Sequence, residues 1–352
     1  MRFSKLVMGG THRSAFKIRV TTMWASLVFL IISGGWSPAR AVGPALWIAS
    51  PEPTGITGAV GGLVELRPAQ LTQSGKPHQV RITEPGLPLA NAAGIAFQPN
   101  GNLWVTTLNN TLLKFTPLQL NNLSIHPHPI PAATITSSSF MLILGCLFDT
   151  QVNLWIVDPV ANAVHEISHA QLANGTANLT PAVTIIDATD LASAAFAIFD
   201  KAGNLWISSE GNSKLVEFAN SQLASSGSPI PNLVFSSPSL NAPGQMEFDS
   251  AGNLWVANSG NSTIVEFTPY QLASSDNPAA AVVLGDDGSG SLSTPWGLQF
   301  DSLHRLWVCN YATGTISKFG PGELMVSGSP VPRVFLTGLP LFAAQIAFGP
   351  SH

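Results

Sequence analysis

Apolar residues occur along this chain in short blocks, and polar turn residues separate the blocks. The stretch from Gly252 to Leu272, GNLWVANSGNSTIVEFTPYQL, contains two such blocks, LWVAN and IVEF. A nearly identical stretch, GNLWISSEGNSKLVEFANSQL, runs from Gly203 to Leu223. Consecutive residues within a block are apolar, so both faces of the element are apolar. This pattern predicts short β-strands that are buried on both faces.

A Leu-Trp pair marks the repeat and recurs at intervals of 57, 51, 51, 49 and 52 residues. Its tryptophans are Trp47, Trp104, Trp155, Trp206, Trp255 and Trp307. Each repeat has an apolar run ending in Phe, a turn, the Leu-Trp run, a polar loop, a third run such as IVEF and, after a longer connection, a fourth apolar run. Four short strands per repeat and a period near 50 residues predict the blade of a β-propeller. We interpret the tryptophans as packing residues between blades, and a Pro-x-Gln-Leu segment predicts a helical turn between the third and fourth strands.

The incomplete repeats at the two ends of the chain complete each other. The last Phe-ending run, QIAF at 345–348, has no Leu-Trp run after it, and the Leu-Trp run at Trp47 has no Phe-ending run before it. The C-terminal run therefore supplies the inner strand of the N-terminal repeat. The predicted fold is all-β, a six-bladed β-propeller of four-stranded blades, closed by the C-terminal strand joining the N-terminal blade.

The first 41 residues differ from the rest of the chain. Basic residues and no acidic ones surround the apolar run MWASLVFLII, Met23 to Ile32, and the segment ends in PARA at Ala41. This order is typical of a cleaved export signal, with an uncleaved anchor as the alternative. We predict a signal peptide over 1–41 and a single β-propeller domain over 42–352. The protein is then secreted, periplasmic or at the cell surface.

Charge excludes several partners. Removal of residues 1–41 leaves nine Lys and Arg against 19 Asp and Glu, without a basic cluster. Nucleic acids and anionic membrane surfaces need clustered Lys and Arg. We therefore expect no nucleic-acid partner, no stable membrane insertion after cleavage of the signal, and a monomer.

The segment GIAFQPNGNLWV at 94–105 resembles the NHL repeat, and this resemblance extends over nearly the whole mature chain. It implies the six-bladed propeller architecture, which is related to that of the gluconolactonase and streptogramin lyase propellers. Both of these groups are enzymes with a metal at the top of the channel. The resemblance therefore leaves three functions open: a binding or scaffold module, a metal-dependent lactonase or other hydrolase, and a lyase.

The residue types at the channel entrance favour the binding module. A lactonase-like site needs oxygen ligands where the chain enters each inner strand. These positions hold Ala93, Leu144, Ala195, Gly244, Trp296 and Ala344. A lyase needs a general base there, and the predicted strands place every histidine of the mature chain elsewhere. We therefore expect no catalytic residue, no metal and no cofactor.

A small set of polar and aromatic residues remains as a candidate binding site. Four polar side chains on inner strands can reach the channel: Gln245, Glu247, Gln299 and Gln345. The second strands end in further polar residues on the same face: Asp158, Asn258 and Asn310, with Tyr311 and Trp296 close by. The loop at 285–297, GDDGSGSLSTPWG, departs most from the repeat, which is where duplicated scaffolds acquire individual functions. We expect this face to bind a protein, peptide or carbohydrate.

The two cysteines test the predicted ring. Cys146 falls in an inner strand and Cys309 in the second strand of the blade opposite. A disulfide requires Cα atoms within about 7 Å. We therefore predict two free, buried thiols.

Overall fold

The computed structural model describes residues 44–51, 61–82, 89, 91–123, 128–175, 177–273 and 277–350. The predicted signal peptide, 1–41, lies outside these residues. Gly43–His352 form one compact unit. Within the described ranges, no helix is both long and apolar enough to cross a membrane.

The described residues form six antiparallel sheets of four strands each. We number the blades 1 to 6 by their second strands, starting from the strand of Trp104. The inner strands of blades 1 to 6 are β4 (Ala92–Phe97), β8 (Cys146–Phe148), β12 (Ala194–Phe199), β16 (Pro243–Phe248), β20 (Pro295–Phe300) and β24 (Gln345–Gly349). The second strands are β5 (Leu103–Thr107), β9 (Leu154–Asp158), β13 (Leu205–Ser209), β17 (Leu254–Asn258), β21 (Leu306–Asn310) and β1 (Ala45–Ser50).

The outer half of each blade follows the same order. The third strands are β6 (Thr111–Phe115), β10 (Ala163–Ile167), β14 (Lys214–Phe218), β18 (Thr263–Phe267), β22 (Thr315–Phe319) and β2 (Gly62–Leu66). The outermost strands are β7 (Ala133–Thr136), β11 (Val183–Ile186), β15 (Leu233–Ser236), β19 (Val282–Leu284), β23 (Val334–Leu336) and β3 (Val80–Ile82).

The blades close into a ring. Each inner strand contacts the inner strands of both neighbouring blades, including β24 with β4. Strand β24 pairs antiparallel with β1, from Ala45 opposite Gly349 to Ala49 opposite Gln345. The predicted six-bladed fold and its closure by the C-terminal strand are therefore confirmed.

The repeated Trp and Phe residues pack blade against blade. The Trp307 ring of blade 5 meets the Phe348 ring of blade 6 edge-on, with centroids 6.0 Å apart. The same contact joins Trp155 to Phe199 at 5.9 Å. Each of these tryptophans is at least 97% buried, and the Trp307 indole N–H donates to Asp301 of the preceding turn at 2.9 Å. The tryptophans are packing residues, as predicted.

A helical turn follows the third strand in every blade. The six turns are Pro68–Leu71, Pro117–Asn121, His169–Asn174, Asn220–Ala224, Pro269–Leu272 and Pro321–Leu324. In the fourth of them, Gln222 accepts from the Ala219 N–H at 2.7 Å and donates to the Ile230 carbonyl at 2.6 Å. The repeated glutamine therefore satisfies loop backbone.

The loop after the helical turn fastens several blades to the preceding one. The Gly227 N–H of blade 3 donates to the Thr184 carbonyl of blade 2, and the Gly227 carbonyl accepts from Ile186, both at 3.0 Å. Gly328 and Gly75 form the same parallel bridges to Leu284 and Leu336. These contacts occupy backbone groups on outermost strands that would otherwise be open to another chain.

Both cysteines are free and buried, as predicted. Burial raises the pKa of each thiol to about 12, so both behave as small apolar groups.

Candidate functional site

The inner strands line the central channel, and the size of the side chains that face it differs between blades. Three residues before the Phe of each inner strand, blades 1 to 6 carry Gly94, Gly145, Phe196, Gln245, Gly297 and Gln345. Each large side chain lies against a glycine. A Cβ on Gly145 would lie 2.6 Å from Cδ1 of Phe196, and one on Gly297 would lie 3.1 Å from Oε1 of Gln245. The glycines are therefore needed to let neighbouring side chains enter the channel.

The two predicted channel glutamines of this layer bind backbone. Gln345 of blade 6 accepts from the Ile95 N–H of blade 1 at 3.0 Å and donates to the Cys146 carbonyl of blade 2 at 3.3 Å. Gln245 accepts from the Leu298 N–H of blade 5 at 3.2 Å. Their amide groups thus join inner strands of different blades.

The layer nearer the opposite end of the channel contains Glu247 and Gln299. Gln299 accepts from the Phe348 N–H of blade 6 at 2.8 Å. The equivalent residues of the other blades are apolar: Ala96, Leu147, Ile198 and Ala347. Burial raises the pKa of Glu247 to about 8, and no hydrogen bond or charge of a described residue offsets this effect. This layer of the channel therefore contains the Glu247 carboxyl group, and its raised pKa favours the protonated form at neutral pH.

The entry face, where the chain enters each inner strand, carries a cluster of four aromatic rings. The Trp296 ring of blade 5 lies 5.9 Å from the Phe196 ring of blade 3, measured between centroids, and 5.9 Å from the Tyr311 ring. The Tyr311 ring in turn lies 4.8 Å from that of Phe342, which leads into blade 6. Trp296, Tyr311 and Phe342 are half-buried. We call these four residues the aromatic cluster; it links three blades at the mouth of the channel.

Glu210 adds a negative charge beside the aromatic cluster. This half-buried residue follows the second strand of blade 3, and burial raises its pKa although Ser193 donates to the carboxylate. Burial also raises the pKa of Tyr311, and the Glu210 charge raises it further. The mouth therefore combines apolar ring faces, a phenol and a carboxylate.

The predicted site residues at the ends of second strands lie beneath this surface. Asp158, Asn258 and Asn310 have no exposed area. Asn310 accepts from the Ser293 N–H at 2.9 Å and donates to the Ser291 carbonyl at 3.0 Å. Asn258 makes the same two bonds to Asn241 and Ser239. These amides hold the loops that enter the inner strands, and their polar groups are already used.

Asp158 holds the corresponding loop of blade 2 with a carboxylate. Its oxygens accept from the Met141 N–H at 2.7 Å and from the Leu142 N–H at 3.2 Å. Burial acts to raise the pKa of Asp158, but the His165 ring, with Nε2 3.7 Å from the carboxylate, and hydrogen bonds from three backbone N–H groups outweigh it and hold the pKa below its usual value. Asp158 is therefore part of the support for the mouth.

The loop at 285–297 folds around its own aspartates. Asp286 accepts from the Leu292 N–H at 3.0 Å and from the Gly288 N–H at 3.0 Å. The Leu292 bond, first among several, lowers the pKa of Asp286 although partial burial opposes it. The loop thus presents Trp296 from a fixed backbone.

Left-handed backbone recurs where the chain enters the inner strands. Ser193, Ala242, Thr294 and Phe342 have φ between 48° and 64°. This conformation is uncommon for β-branched and bulky residues. Side chains of the preceding blade hold three of these positions: Ser262, for example, accepts from the Thr294 N–H at 3.0 Å. Hydrogen bonds therefore link loops of neighbouring blades on the entry face.

Metal ligands do not converge in the part of the chain that the structure describes: no group of three or more His, Cys, Asp or Glu side chains there could hold an ion. His165 lies in β10 and bonds Thr184 at 3.0 Å. The HPHP segment falls partly outside the described residues, because His126 does.

Sequence reasoning did not select Phe196 or Phe342 for the binding site. Phe196 has one local signal, because a large residue replaces the glycine that blades 1, 2 and 5 carry at this position. Phe342 has none, since only the closed ring brings residues of blades 3, 5 and 6 together.

Comparisons with known proteins agree on the fold. No protein-family model and no curated protein sequence matches the chain. Among solved structures, a Bacteroides caccae protein of unknown function is similar with a TM-score of 0.58 and 10% identity, over 88% of this chain and 100% of that one. The WD40 β-propeller domain of Doa1 is similar with a TM-score of 0.55 and 8% identity, over 89% and 88%. A virginiamycin B lyase from Staphylococcus aureus has a TM-score of 0.48 and 12% identity, over 66% and 67%.

At these identities the likeness concerns architecture alone. The blade order, the ring of inner strands and the similar structures together identify the chain as a six-bladed β-propeller.

Proposed function

We propose that the protein is an exported β-propeller that acts as a binding module, with its ligand on the aromatic cluster of the entry face. The observation that carries this proposal is the line of ring contacts from Phe196 through Trp296 and Tyr311 to Phe342. Half-buried aromatic rings on a rigid support contribute large contact area at little cost in conformational entropy.

The chemistry of the mouth favours a peptide segment of a partner protein over a carbohydrate. A sugar needs several free amide or carboxylate groups for its hydroxyls, and Asn258 and Asn310 already bond loop backbone on both sides of their amides. Ring faces beside the Glu210 carboxylate suit an apolar or basic side chain. The fold itself supports a module that presents one face of a rigid ring.

The chain offers a matched pair of variants to test this proposal. Tyr311 belongs to the aromatic cluster, and Tyr270 lies on a helical turn with 89% of its surface exposed. Peptides selected from a displayed random library on the unaltered protein should bind Tyr311→Ala and Trp296→Ala at least tenfold more weakly, and Tyr270→Ala with unchanged affinity. A glycan array run in parallel provides the alternative ligand class. Selected peptides that bind the Trp296→Ala and Tyr311→Ala variants normally, or specific binding to glycans instead of peptides, would contradict the proposal.

Export is a separate part of the proposal, and it rests on the order of basic, apolar and small residues in 1–41. N-terminal sequencing of the protein expressed with residues 1–41 in a secreting host should give a chain that begins at Val42. Retention of residues 1–41 on a membrane-bound chain would instead support the anchor.

A further inference from the structure

One charged residue recurs on the third strand of every blade, opposite the tryptophan of the second strand. In the order of blades 1 to 6 these residues are Lys114, Glu166, Glu217, Glu266, Lys318 and Glu65. They lie toward the face of the turns between first and second strands, which is opposite to the entry face. The identity of this residue differs between blades, and the surroundings differ with it.

Where the residue is lysine, its ammonium occupies the space over the tryptophan. Lys318 Nζ lies 5.0 Å from the centroid of the Trp307 ring and donates to the Leu71 carbonyl at 3.1 Å. Lys114 Nζ lies 5.5 Å from the centroid of the Trp104 ring. Burial, followed by the charge of Arg305, lowers the pKa of Lys318, and the charge of the nearby Asp301 carboxylate opposes this shift. The geometry of this position therefore accommodates an ammonium group over the tryptophan ring.

Where the residue is glutamate, two of the four have protein partners. Asn232 donates to Glu217 at 2.9 Å, and Arg67 Nε lies 3.8 Å from a Glu65 oxygen. Within the described ranges, no hydrogen-bond donor or cation is paired with the carboxylates of Glu166 and Glu266. Glu266 is only 9% exposed. Burial, followed by the charge of Asp249, raises its pKa.

Each of these two glutamates lines a cavity at a blade border. Glu266 lines one of about 280 Å³ between blades 4 and 5, and Glu166 lines one of about 490 Å³ between blades 2 and 3. The Glu266 cavity has apolar walls from Phe300, Leu324 and Met325. Met325, 77% exposed, lies at its rim. We call this cavity between blades 4 and 5 the Glu266 cavity.

Two carboxylates line this cavity, those of Asp249 and Glu266, and both carry negative charge when ionised. Asp249 already accepts from the Ala251 and Asn253 backbone, the Asn253 amide and the Trp255 indole. Its charge remains, but its oxygens are occupied, so the Glu266 carboxylate is the acceptor that faces the cavity. A charged hydrogen bond to a carboxylate that is only 9% exposed is stronger than one in water.

We propose that the Glu266 cavity binds a primary alkylammonium group, with the ammonium on Glu266 and the methylenes along Phe300, Leu324 and Met325. Such a group is carried by a lysine side chain of a partner or by a free alkylamine. The bound ammonium then takes the position on blade 4 that Lys318 takes on blade 5. This site is independent of the aromatic cluster, which lies on the other face.

The test uses the full chain in a Glu166→Gln background, so that one cavity of this chemistry remains. Calorimetric titration compares Nα-acetyl-lysine amide with Nα-acetyl-norleucine amide, a neutral ligand of similar length. The lysine derivative should bind, the norleucine derivative should not, and Glu266→Gln should weaken binding at least tenfold. Glu217→Gln, at the same register position but bonded to Asn232, should bind normally. Equal binding of both ligands, or less than a twofold change in Glu266→Gln, overturns the proposal.

Glu266→Lys provides a second, structural measurement. It places on blade 4 the ammonium that blade 5 already carries, so it should abolish binding while leaving the melting temperature unchanged or higher. A melting temperature lowered by more than 5 °C would mean that this position cannot hold an ammonium, and would overturn the proposal. Titration with butylamine identifies the source: binding as tight as that of the lysine derivative indicates free amines, and weaker binding indicates a lysine of a partner chain.

Discussion

At the scale of single residues, buried polar side chains of this propeller bind backbone. Asp158, Asn258 and Asn310 each hold the loop that enters the inner strand of their own blade. Burying such a group is unfavourable unless hydrogen bonds replace its water, and these residues have them. Asn310 fixes the loop that carries Trp296, and Asp158 and Asn258 fix the entry loops of blades 2 and 4.

The role of Asp158 predicts the effect of replacing it. In the unaltered protein, backbone N–H groups donate to the Asp158 carboxylate. Asp158→Asn places an amide NH₂ group, itself a donor, opposite some of them, so we expect the free energy of unfolding to fall by about 1–3 kcal/mol at neutral pH. Because the pKa of Asp158 is lowered in the folded protein, its contribution is present above pH 3.8 and lost as the pH falls through the folded value. Urea unfolding at pH 7 and at acid pH measures both effects.

Glu323→Gln is the matched control for Asp158→Asn. This more exposed carboxylate pairs with Arg333 on the surface, where such pairs contribute about 1 kcal/mol or less. A loss as large in Glu323→Gln as in Asp158→Asn would contradict the special role of the buried aspartate.

Glu247 should affect stability with the opposite sign. Its pKa is raised from 4.5 to about 8, so the folded protein binds the proton more tightly than the unfolded chain does. Stability is therefore lost as the pH rises from 4.5 through 8. Glu247→Gln removes this loss, and its free energy of unfolding should exceed that of the unaltered protein by a few kcal/mol at pH 9 and by little near pH 4.5.

Urea unfolding between pH 4.5 and 9 measures the difference. Glu247→Asp keeps a carboxyl group at the site and should keep the pH dependence. A constant difference between Glu247→Gln and the unaltered protein across this range would show that Glu247 does not titrate in the channel.

Residue types at the site were readable from the sequence, but the directions of their side chains were not. The N–H groups that donate to Asn258 and Asn310 are backbone groups about one strand and one loop away in the chain, at Asn241 and Ser293. No periodicity marks such pairs. Gln245 and Gln345 reach the channel region as expected, yet their partners, Leu298 and Cys146, belong to other blades.

At the scale of elements, the inner strand packs against the inner strands of both neighbouring blades. It was predictable, because its Phe-ending run precedes every Leu-Trp pair except the one at Trp47. The parallel bridges through Gly75, Gly227 and Gly328 were not predicted, because Ser and Gly in a loop are equally typical of a free turn. Contacts between blades determine whether such a loop forms a parallel bridge or a free turn.

Two glycines of different elements provide a matched test. A Cβ on Gly94 in β4 would overlap the Leu144 carbonyl oxygen and lie 2.6 Å from Thr106 Oγ1, whereas one on Gly227 would meet nothing within 4 Å. Gly94→Ala should therefore destabilise the protein by about 3 kcal/mol, as overpacking against backbone does. Gly227→Ala should change stability by less than about 0.5 kcal/mol. Equal midpoints of urea unfolding for the two variants would contradict the close approach of the inner strands.

At the scale of the whole molecule, blade 6 is assembled from two distant parts of the chain. The sequence predicted this because an unmatched strand pattern occurs near each end. In the structure, β24 and β1 form one antiparallel pair. The ring stays closed only while this pair is intact, since it joins the C-terminal strand of blade 6 to the three strands from the N-terminal part of the chain.

Removal of residues 342–352 should therefore open the ring. We expect loss of a cooperative unfolding transition, or aggregation through the exposed edge of β1 and the uncovered inner strands β4 and β20. Circular dichroism during urea unfolding and light scattering of the native sample measure these outcomes. A truncated protein with an unchanged unfolding midpoint would show that closure does not depend on β24.

A circularly permuted chain distinguishes the effect of losing strand β24 from the effect of losing its covalent connection to blade 5. The end of β24 at Gly349 lies opposite the start of β1 at Ala45, so a short turn can join residues 342–350 to residue 44 as a hairpin. This chain keeps every blade and moves the break to the loop before Phe342. It should recover a cooperative transition and a midpoint close to that of the unaltered protein, because the same pairs from Ala45–Gly349 to Ala49–Gln345 form. Failure of the permuted chain to recover, with the truncated chain unfolded, would mean that the connection before Phe342 stabilises the ring more than the strand pairing does.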